Sequence, residues 1–274
     1  MDVINSVDQL QSRLAGEASV ALVPTMGNLH AGHIALLTEA KKRAQCVVAS
    51  IFVNRLQFEP GGDFERYPRT LADDRARLRS AGCDVVFVPD EDVLYPEPQQ
   101  MLITPPKAAD QLCGSFRPGH FQGVVTVVAK LFNIVGPQVA VFGKKDYQQL
   151  FVIRQLVRQL NFPIEIVGGE TVREPDGLAM SSRNGYLTTM ERGQAVRLSR
   201  NLRTIAEAVR GGNRDFAKLT ATARADLDGE GWRVEYVELR ERNSLTPPAR
   251  DDRELVVLGA AWLGRTRLID NLEI

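Results

Sequence analysis

Short apolar runs alternate with amphipathic stretches along the first two-thirds of the chain. Apolar runs typical of strands that are covered on both faces occupy residues 20–23, 46–53, 84–88, 139–142 and 164–167. Apolar residues at helical spacing occupy residues 34–44, 70–81, 124–135 and 147–160. Because the two patterns alternate, the sequence predicts a parallel sheet with right-handed crossovers, and therefore a doubly wound α/β fold.

The pattern changes after about residue 185. Two long helical stretches, residues 191–210 and 215–227, come before three strand-like segments at residues 233–239, 254–263 and 266–269. Helices followed by closely spaced strands favour a small α+β unit. We therefore expect a first domain over residues 1–176 and a smaller α+β domain over residues 177–274.

Composition narrows the class of protein. The chain has 274 residues, and its 34 Lys and Arg balance its 34 Asp and Glu, which argues against a general nucleic-acid binder. The mean hydropathy is -0.17, and no apolar run is long enough to span a bilayer. The N-terminus carries early acids and no apolar core of a secretory signal. Since Cys46, Cys83 and Cys113 form neither a CxxC pair nor a disulfide framework, a reducing cytoplasm is the simplest expectation.

The most unusual segment, residues 24–33, joins the first predicted strand to the first predicted helix. In an open parallel sheet, ligands bind beyond the carboxyl ends of the strands. Gly27 and Gly32 permit close approach of a ligand, and the helix N-terminus offers free N–H groups to an anion. His30 and His33 are three residues apart, so they share a helix face and can donate to phosphate oxygens. The alternatives are two histidines that only cap the helix, or a zinc pair, for which no third ligand stands at a suitable spacing.

Amide side chains follow the second predicted strand. Asn54 and Gln57 are suited to a small polar substrate, because an amide can donate to a carboxylate and accept from a hydroxyl. Taken alone, the pair is more typical of a turn residue, Asn54, and an exposed glutamine, Gln57.

Lysines follow the fourth predicted strand. Lys144 and Lys145 can meet a polyphosphate as point charges. The alternatives are that one of the two lysines is only solvated and that Asp146 caps the next helix. Gln149 lies on the first turn of that helix and therefore near the same opening.

A fourth segment, residues 173–184, contains a Pro-Asp-Gly turn followed by Ser181, Ser182 and Arg183. Hydroxyl and guanidinium donors suit phosphate oxygens, and loops that close over triphosphates often have this composition. The alternative is a polar interdomain linker. Together the four segments predict a phosphate-rich ligand beside a small acid, and hence a nucleotide-dependent transfer.

At these residues the chain resembles the pantoate–β-alanine ligases, the pantothenate synthetase family. The resemblance covers nearly the whole chain and is carried by PTMGNLHAGH, SIFVNRLQF, RYPRTLADD, RPGHFQGV, FGKKDYQQL and DGLAMSSRNGYL. It implies a Rossmann-like first domain of the HxGH nucleotidyltransferase type and a C-terminal lid. HxGH alone is shared with a broad superfamily that includes class I aminoacyl-tRNA synthetases.

The resemblance implies a two-step ligation. The pantoate carboxylate attacks the α-phosphorus of ATP, and the β-alanine amine then attacks the acyl carbon of pantoyl adenylate, which releases AMP and pantothenate. It also implies Mg²⁺ with ATP and a homodimer. Two alternatives stay open, a nucleotidyltransferase of the same superfamily and an inactive ATP-binding regulator. Gln57 and Gln149 speak against the first, and the retained His30, His33, Lys145 and Arg183 against the second.

The resemblance also assigns roles to residues. The ATP site is expected to include Met26, Gly27, Asn28, Leu29, His30, Ala31, Gly32, His33, Gly143, Lys144, Lys145, Asp146, Val172, Met180, Ser181, Ser182 and Arg183. The catalytic subset is His30, His33, Lys145, Ser181, Ser182 and Arg183, with His33 as the proton donor. Gln57 and Gln149 are expected to hold pantoate, Gln57 and Asn54 to lie near β-alanine, and Asp73 to contact Mg²⁺. Arg55 stands where the family commonly has proline, on the β-alanine side.

Overall fold

Two sheets organise the chain in the computed structural model, which describes residues 1–59 and 64–274. The strands of the first sheet are β1 (Asp2–Ile4), β2 (Val20–Thr25), β3 (Cys46–Ile51), β4 (Val85–Phe87), β5 (Val139–Gly143) and β6 (Glu165–Gly169). The helices among them are α1 (Val7–Leu14), α2 (Ala31–Lys41), α3 (Leu71–Ser80), α4 (Glu91–Leu94), α5 (Cys113–Phe116), α6 (His120–Val135) and α7 (Tyr147–Gln159). The remaining elements are α8 (Thr189–Gln194), α9 (Val196–Arg210), α10 (Phe216–Gly229), β7 (Arg233–Glu241), β8 (Leu255–Leu263) and β9 (Thr266–Glu273).

All pairings in the first sheet are parallel, and its strand order is β1-β4-β3-β2-β5-β6. Alternate residues of the central strands enter separate hydrophobic cores on the two faces. Leu22 and Val48 belong to one core, and Val23 and Val47 to the other. Two covered faces explain why these strands are almost entirely apolar, and the predicted doubly wound α/β fold is confirmed.

The direction in which the chain adds strands to the sheet reverses at β2. The chain runs from β2 through β3 to β4 on one side, and β5 then pairs with the other side of β2. Crevices at such switch points bind ligands in open α/β sheets. The crevice lies between the segment after Thr25, which leads into α2, and the segment after Gly143, which leads into α7.

The second sheet is antiparallel, in the order β7-β8-β9. One face of β8, with Val257 and Ala261, packs in a core with α9 and α10. The other face, with Val256 and Leu258, joins the main core of the first region. The small α+β unit expected after about residue 185 is therefore confirmed, and it packs directly on the first region.

Some elements differ from the pattern-based expectations. The sequence missed β1 and α1, which have three and eight residues. The single helix expected over residues 191–210 is two helices, because Thr188 and Glu191 form a capping box for α8 and α9 starts at Val196. In the described part of the chain, no helix has the length and apolar character needed to cross a membrane.

Candidate active site

The segment between β2 and α2 is held by a buried carboxylate of α3. Asp74 accepts hydrogen bonds from the backbone N–H groups of Asn28, at 2.9 Å, and Leu29, at 2.7 Å. Gly27 has φ +85°, and a Cβ there would lie 3.1 Å from Asp74 Oδ2. This carboxylate therefore fixes the course of the loop, and sequence reasoning did not identify it.

The neighbouring acid, Asp73, is exposed on α3 and lines neither cavity described below. The helix repeat separates the two acids, since adjacent residues on a helix point in different directions. The sequence contains a signal for Asp74. Of two adjacent acids in the first turn of a helix, only one can face the sheet.

Two histidines at the start of α2 are bound to the backbone through the same ring atom. Gly32 N donates to His30 Nδ1 at 3.1 Å, and His30 N donates to His33 Nδ1 at 3.2 Å. Because each Nδ1 is an acceptor, each neutral ring carries its proton on Nε2. A Cβ on Gly32 would lie 2.9 Å from His30 Nδ1, so glycine is needed beside the ring.

Both imidazoles are neutral near pH 7. Burial, followed by the charges of His33 and Lys145, lowers the pKa of His30 to about 3. Burial lowers the pKa of His33 to about 4, with Lys145 adding to the shift and Asp146 opposing it. Two uncharged N–H donors therefore stand at a helix N-terminus that already favours anions.

The segment after β5 brings a lysine and a carboxylate to the same crevice. Lys145 and Asp146 line the site, and the side chain of Asp146 is exposed to it. Burial alone would raise the pKa of Asp146, but the nearby charges of Lys145 and Arg183 lower it. Asp146 is therefore an ionised carboxylate among cationic neighbours at neutral pH.

Lys144 has a different environment. Its Nζ lies 2.6 Å from Glu170 and 2.9 Å from Glu273 of β9, and its side chain lines neither cavity. Asn271 of β9 donates from Nδ2 to the carbonyls of Lys144, at 2.9 Å, and Lys145, at 2.8 Å. The second sheet thus holds the turn that presents Lys145.

The segment after β6 crosses to the first loop. Ser182 Oγ donates to the carbonyl of Asn28 at 3.0 Å, and Asn28 Nδ2 lies 3.4 Å from the Ser182 carbonyl. Ser181 accepts from the N–H of Arg183 at 3.2 Å and so starts a 3₁₀ turn over Ser182–Tyr186. This connection brings the predicted lid residues over the two histidines.

The amide pair after β3 is buried and ordered by its own hydrogen bonds. Asn54 donates from Nδ2 to Gln57 Oε1 at 3.3 Å and to the Gly123 carbonyl at 3.1 Å. Tyr95 donates its hydroxyl to Asn54 Oδ1 at 2.8 Å. Asn54 is 1% exposed, and its amide atoms have protein partners, so it is placed to orient Gln57. Sequence reasoning did not identify Tyr95.

Two connected cavities lie at the carboxyl ends of the strands. The smaller, of about 210 Å³, is lined by most of the predicted site residues, namely Met26, His30, Gly32, His33, Asn54, Gln57, Gly143, Lys145, Asp146, Gln149, Val172, Met180, Ser181, Ser182 and Arg183. The larger, of about 550 Å³, opens towards the second sheet. Five residues line both cavities, namely Lys145, Asp146, Gln149, Ser181 and Arg183.

The remaining predicted residues do not line either cavity. Gly27, Asn28, Leu29 and Ala31 belong to the loop and helix start that support the histidines, and Leu29 is buried in a hydrophobic core. The structure thus brings the three predicted strand-end segments together with the lid segment, while Asp73 and Lys144 lie outside the shared space.

The arrangement matches a known family over the whole chain. The family model for pantoate-beta-alanine ligase matches residues 2–273. The chain belongs to the pantoate–β-alanine ligase family. It is therefore an enzyme that joins pantoate to β-alanine, as the resemblance of its motifs indicated.

Relatives of this ligase family agree in sequence and in fold. The pantothenate synthetase of Thiobacillus denitrificans is 60% identical over 275 residues, which cover 100% of this chain and 97% of that protein. The crystal structure of pantothenate synthetase from Thermus thermophilus has a TM-score of 0.95 and 43% identity, and covers 100% of this chain and 99% of that one. The pantoate-beta-alanine ligase of Francisella tularensis, solved with beta-gamma ATP and beta-alanine, has a TM-score of 0.79 and 34% identity, and covers 100% and 97%.

Proposed function

We propose that this ligase activates pantoate with ATP in the joined cavities and then transfers the acyl group to β-alanine. A pantoate carboxylate oxygen bonds to the α-phosphorus as pyrophosphate leaves. The β-alanine nitrogen then bonds to the acyl carbon, loses a proton, and AMP leaves with the electron pair of the broken C–O bond. The main support is that uncharged histidine donors, cations and neutral amides line two neighbouring cavities that share five residues.

We assign the phosphates of ATP to the histidine side of this space. The Nε2–H groups of His30 and His33 would donate to phosphate oxygens, with Lys145 and Arg183 supplying positive charge. Ser181 and Ser182 would close over the nucleotide, and His33 would donate to the oxygen on which charge grows during attack. Preorganised donors of this kind are effective because they need no rearrangement as the charge develops.

Pantoate fits the amide side of the smaller cavity. Gln57 is buried there with its amide against Met26 Sδ at 2.9 Å, and the amide of Gln149 makes no hydrogen bond within the described residues. Apolar side chains of α6, including Val124 and Val127, form the opposite wall. A small hydroxy acid with a branched carbon skeleton would meet both kinds of surface.

The adenine side is assigned to the strand ends near β6. Val172 and Met180 line the smaller cavity beside Gly143 and Gly32. The larger cavity would admit β-alanine and release pyrophosphate, because it shares Lys145 and Arg183 with the smaller one. The Francisella tularensis relative, solved with a nucleotide and beta-alanine, supports this pairing of ligands.

We propose that Mg²⁺ enters with the triphosphate. Within residues 1–59 and 64–274, no group of three or more His, Cys, Asp or Glu side chains could hold a metal ion. In this proposal the magnesium ion is held mainly by phosphate oxygens, the usual arrangement for this metal with nucleotides. Asp146 lines the cavity as an ionised carboxylate and is therefore better placed than Asp73 to contact the ion.

The domain boundary, assembly and location are also proposals. We divide the chain into a catalytic domain of residues 1–176 and a lid domain of residues 177–274, supported by the two sheets.

A homodimer is supported by Met101 and Leu102, adjacent apolar residues that are 84% and 44% exposed. A sedimentation measurement tests the dimer, and M101E should shift it towards the monomer. A cytoplasmic location remains the expectation from the cysteine usage.

Two assays on the purified protein test the reaction. Exchange of labelled pyrophosphate into ATP should require pantoate and should not require β-alanine. Release of AMP should require all three substrates. Exchange without amine-dependent AMP release would favour a nucleotidyltransferase, and ATP binding with neither reaction would favour an inactive regulator.

A further inference from the structure

The third histidine of the chain, His120, starts α6 and is held on both ring nitrogens. Its Nδ1 lies 2.8 Å from the carbonyl of Gln57, and its Nε2 lies 3.1 Å from Arg117 Nη1. A carbonyl only accepts and a guanidinium only donates, so the ring carries its proton on Nδ1. This tautomer is the opposite of the one in His30 and His33.

The ring is buried and uncharged. His120 is 8% exposed. Burial, followed by the nearby charge of Arg117, lowers its pKa to about 3. Its donor to Gln57 therefore persists unchanged at neutral pH.

The first turn of α6 fits the Gln57 segment closely. A Cβ on Gly123 would lie 2.2 Å from the carbonyl oxygen of Leu56 and 2.6 Å from the nitrogen of Gln57. The Gly123 carbonyl also accepts from Asn54. The backbone of the Arg55–Gln57 turn therefore packs closely against the helix. At the end of this turn the Gln57 carbonyl accepts a hydrogen bond from His120 Nδ1 at 2.8 Å and a longer one from Arg117 Nη2 at 3.4 Å.

This hydrogen bond crosses the wall between the two cavities. His120 and Arg117 line the larger cavity, whereas Gln57 lines the smaller. The ring therefore supports, from behind, the backbone from which the Gln57 amide enters the pantoate site.

We propose that His120 is a positioning residue for the substrate amide of Gln57, acting through its Nδ1–H donor to the Gln57 carbonyl, with Arg117 fixing the tautomer. The proposal rests on the proposed role of Gln57 in holding pantoate. It gives a function to the RPGHFQGV segment, which carried the family resemblance without an assigned role.

Two substitutions at one position separate the donor from the bulk of the ring. In H120N the amide nitrogen takes the place of Nδ1, so the donor to Gln57 is kept. In H120Q the amide nitrogen takes the place of Nε2, so that donor is lost. We expect H120Q to raise the KM for pantoate roughly five- to tenfold with the KM for ATP within about twofold, and H120N to restore most of the difference.

Nitrogen NMR of histidine-labelled protein tests the tautomer directly. The chain has only three histidines, so we expect one ring protonated on Nδ1 and two on Nε2 at pH 7. R117Q should weaken the Nδ1–H preference and raise the KM for pantoate less than H120Q does. This variant keeps the test available if H120Q does not fold.

Three results would each contradict the role of His120. An Nε2–H tautomer for His120, equal KM changes for ATP and pantoate in H120Q, or failure of H120N to rescue would overturn the proposal. Q57A is measured in parallel. If Q57A leaves the KM for pantoate unchanged, the assigned role of Gln57 fails; if Q57A raises it and H120Q does not, only the role of His120 fails.

Discussion

At the scale of single residues, the two histidines of the HxGH segment resolve an ambiguity in the sequence. Capping of the helix and donation to phosphate were alternatives, yet they use opposite ends of one ring. Nδ1 of His30 and of His33 is bound to the backbone, which leaves the Nε2–H groups for a ligand. The spacing of three residues predicted a shared face, whereas the tautomers depend on backbone geometry that the sequence does not display.

Replacing His33 by alanine tests its proposed part in the first step. We expect H33A to reduce pantoate-dependent pyrophosphate–ATP exchange by about 10²–10³, the usual effect of losing one donor to the transition state. H33Q is the matched control, because its amide nitrogen takes the place of Nε2 and should retain more of the rate. Exchange near the wild-type rate in H33A would remove His33 from the mechanism.

A second residue-scale prediction concerns the two adjacent acids of α3. D74A leaves the N–H groups of Asn28 and Leu29 without their acceptor, so the free energy of unfolding should fall by about 2–3 kcal/mol. D73A alters an exposed side chain and should change it by less than about 1 kcal/mol. Urea unfolding measures both. Equal losses would contradict the assigned role of Asp74, and a changed Mg²⁺ requirement in D73A would restore Asp73 as a magnesium contact.

At the scale of elements, the sequence predicted the strands and helices that are long enough to show a regular hydrophobic period. The long buried strands and helices of the α/β region occur within a few residues of the expected bounds, because burial on both faces of the sheet leaves a strong apolar pattern. The short β1 and the 3₁₀ turn over Arg55–Gln57 have too few residues to show a period. The contact between Gly123 and Leu56 could not be predicted either, because the sequence does not identify the backbone that a glycine in an apolar helix contacts.

Alanine at two helical glycines tests that contact. A Cβ at Gly123 meets the Leu56 backbone, whereas a Cβ at Gly193 of α8 has no atom within 4 Å. G123A should therefore lower stability by about 1–3 kcal/mol and raise the KM for pantoate, while G193A should stabilise by about 0.5–1 kcal/mol. Thermal unfolding and steady-state kinetics give the two readouts. Similar behaviour of both variants would show that α6 does not position the Gln57 segment.

At the scale of the whole molecule, the site depends on contacts between regions that are distant in sequence. Asn271 and Glu273 of the last strand hold Lys144, and Asn271 also holds the Lys145 carbonyl, so the second sheet helps to present Lys145 to the cavities. Because Lys144 and Lys145 are adjacent after a strand, their positions alone did not identify which of them is only a surface lysine. The packing of β9 against this turn distinguishes the two lysines, because it pairs Lys144 with Glu273 while Lys145 faces the cavity.

The three histidines also make the stability of the whole molecule depend on pH. Their pKa values in the folded state, about 3 for His30 and His120 and about 4 for His33, lie below the value of about 6.5 for an unfolded histidine. Below pH 6.5 the unfolded chain therefore binds protons that the folded chain does not. The stability that these histidines contribute is fully present above pH 6.5 and is lost as the pH falls towards about 4 for His33 and about 3 for His30 and His120.

Urea unfolding between pH 5 and pH 7 measures this dependence before the carboxylates titrate. The free energy of unfolding should be nearly constant above pH 6.5 and should fall below it by up to about 1.4 kcal/mol per pH unit for each histidine. H120N removes one buried imidazole and keeps its hydrogen bond, so its slope should be shallower by up to one proton. A nonhydrolysable ATP analogue should reduce the slope further, because bound phosphates raise the pKa values of His30 and His33. A wild-type stability that stays flat from pH 7 to pH 5 would contradict the neutral, buried state of these rings on which the phosphate site and the His120 proposal both depend.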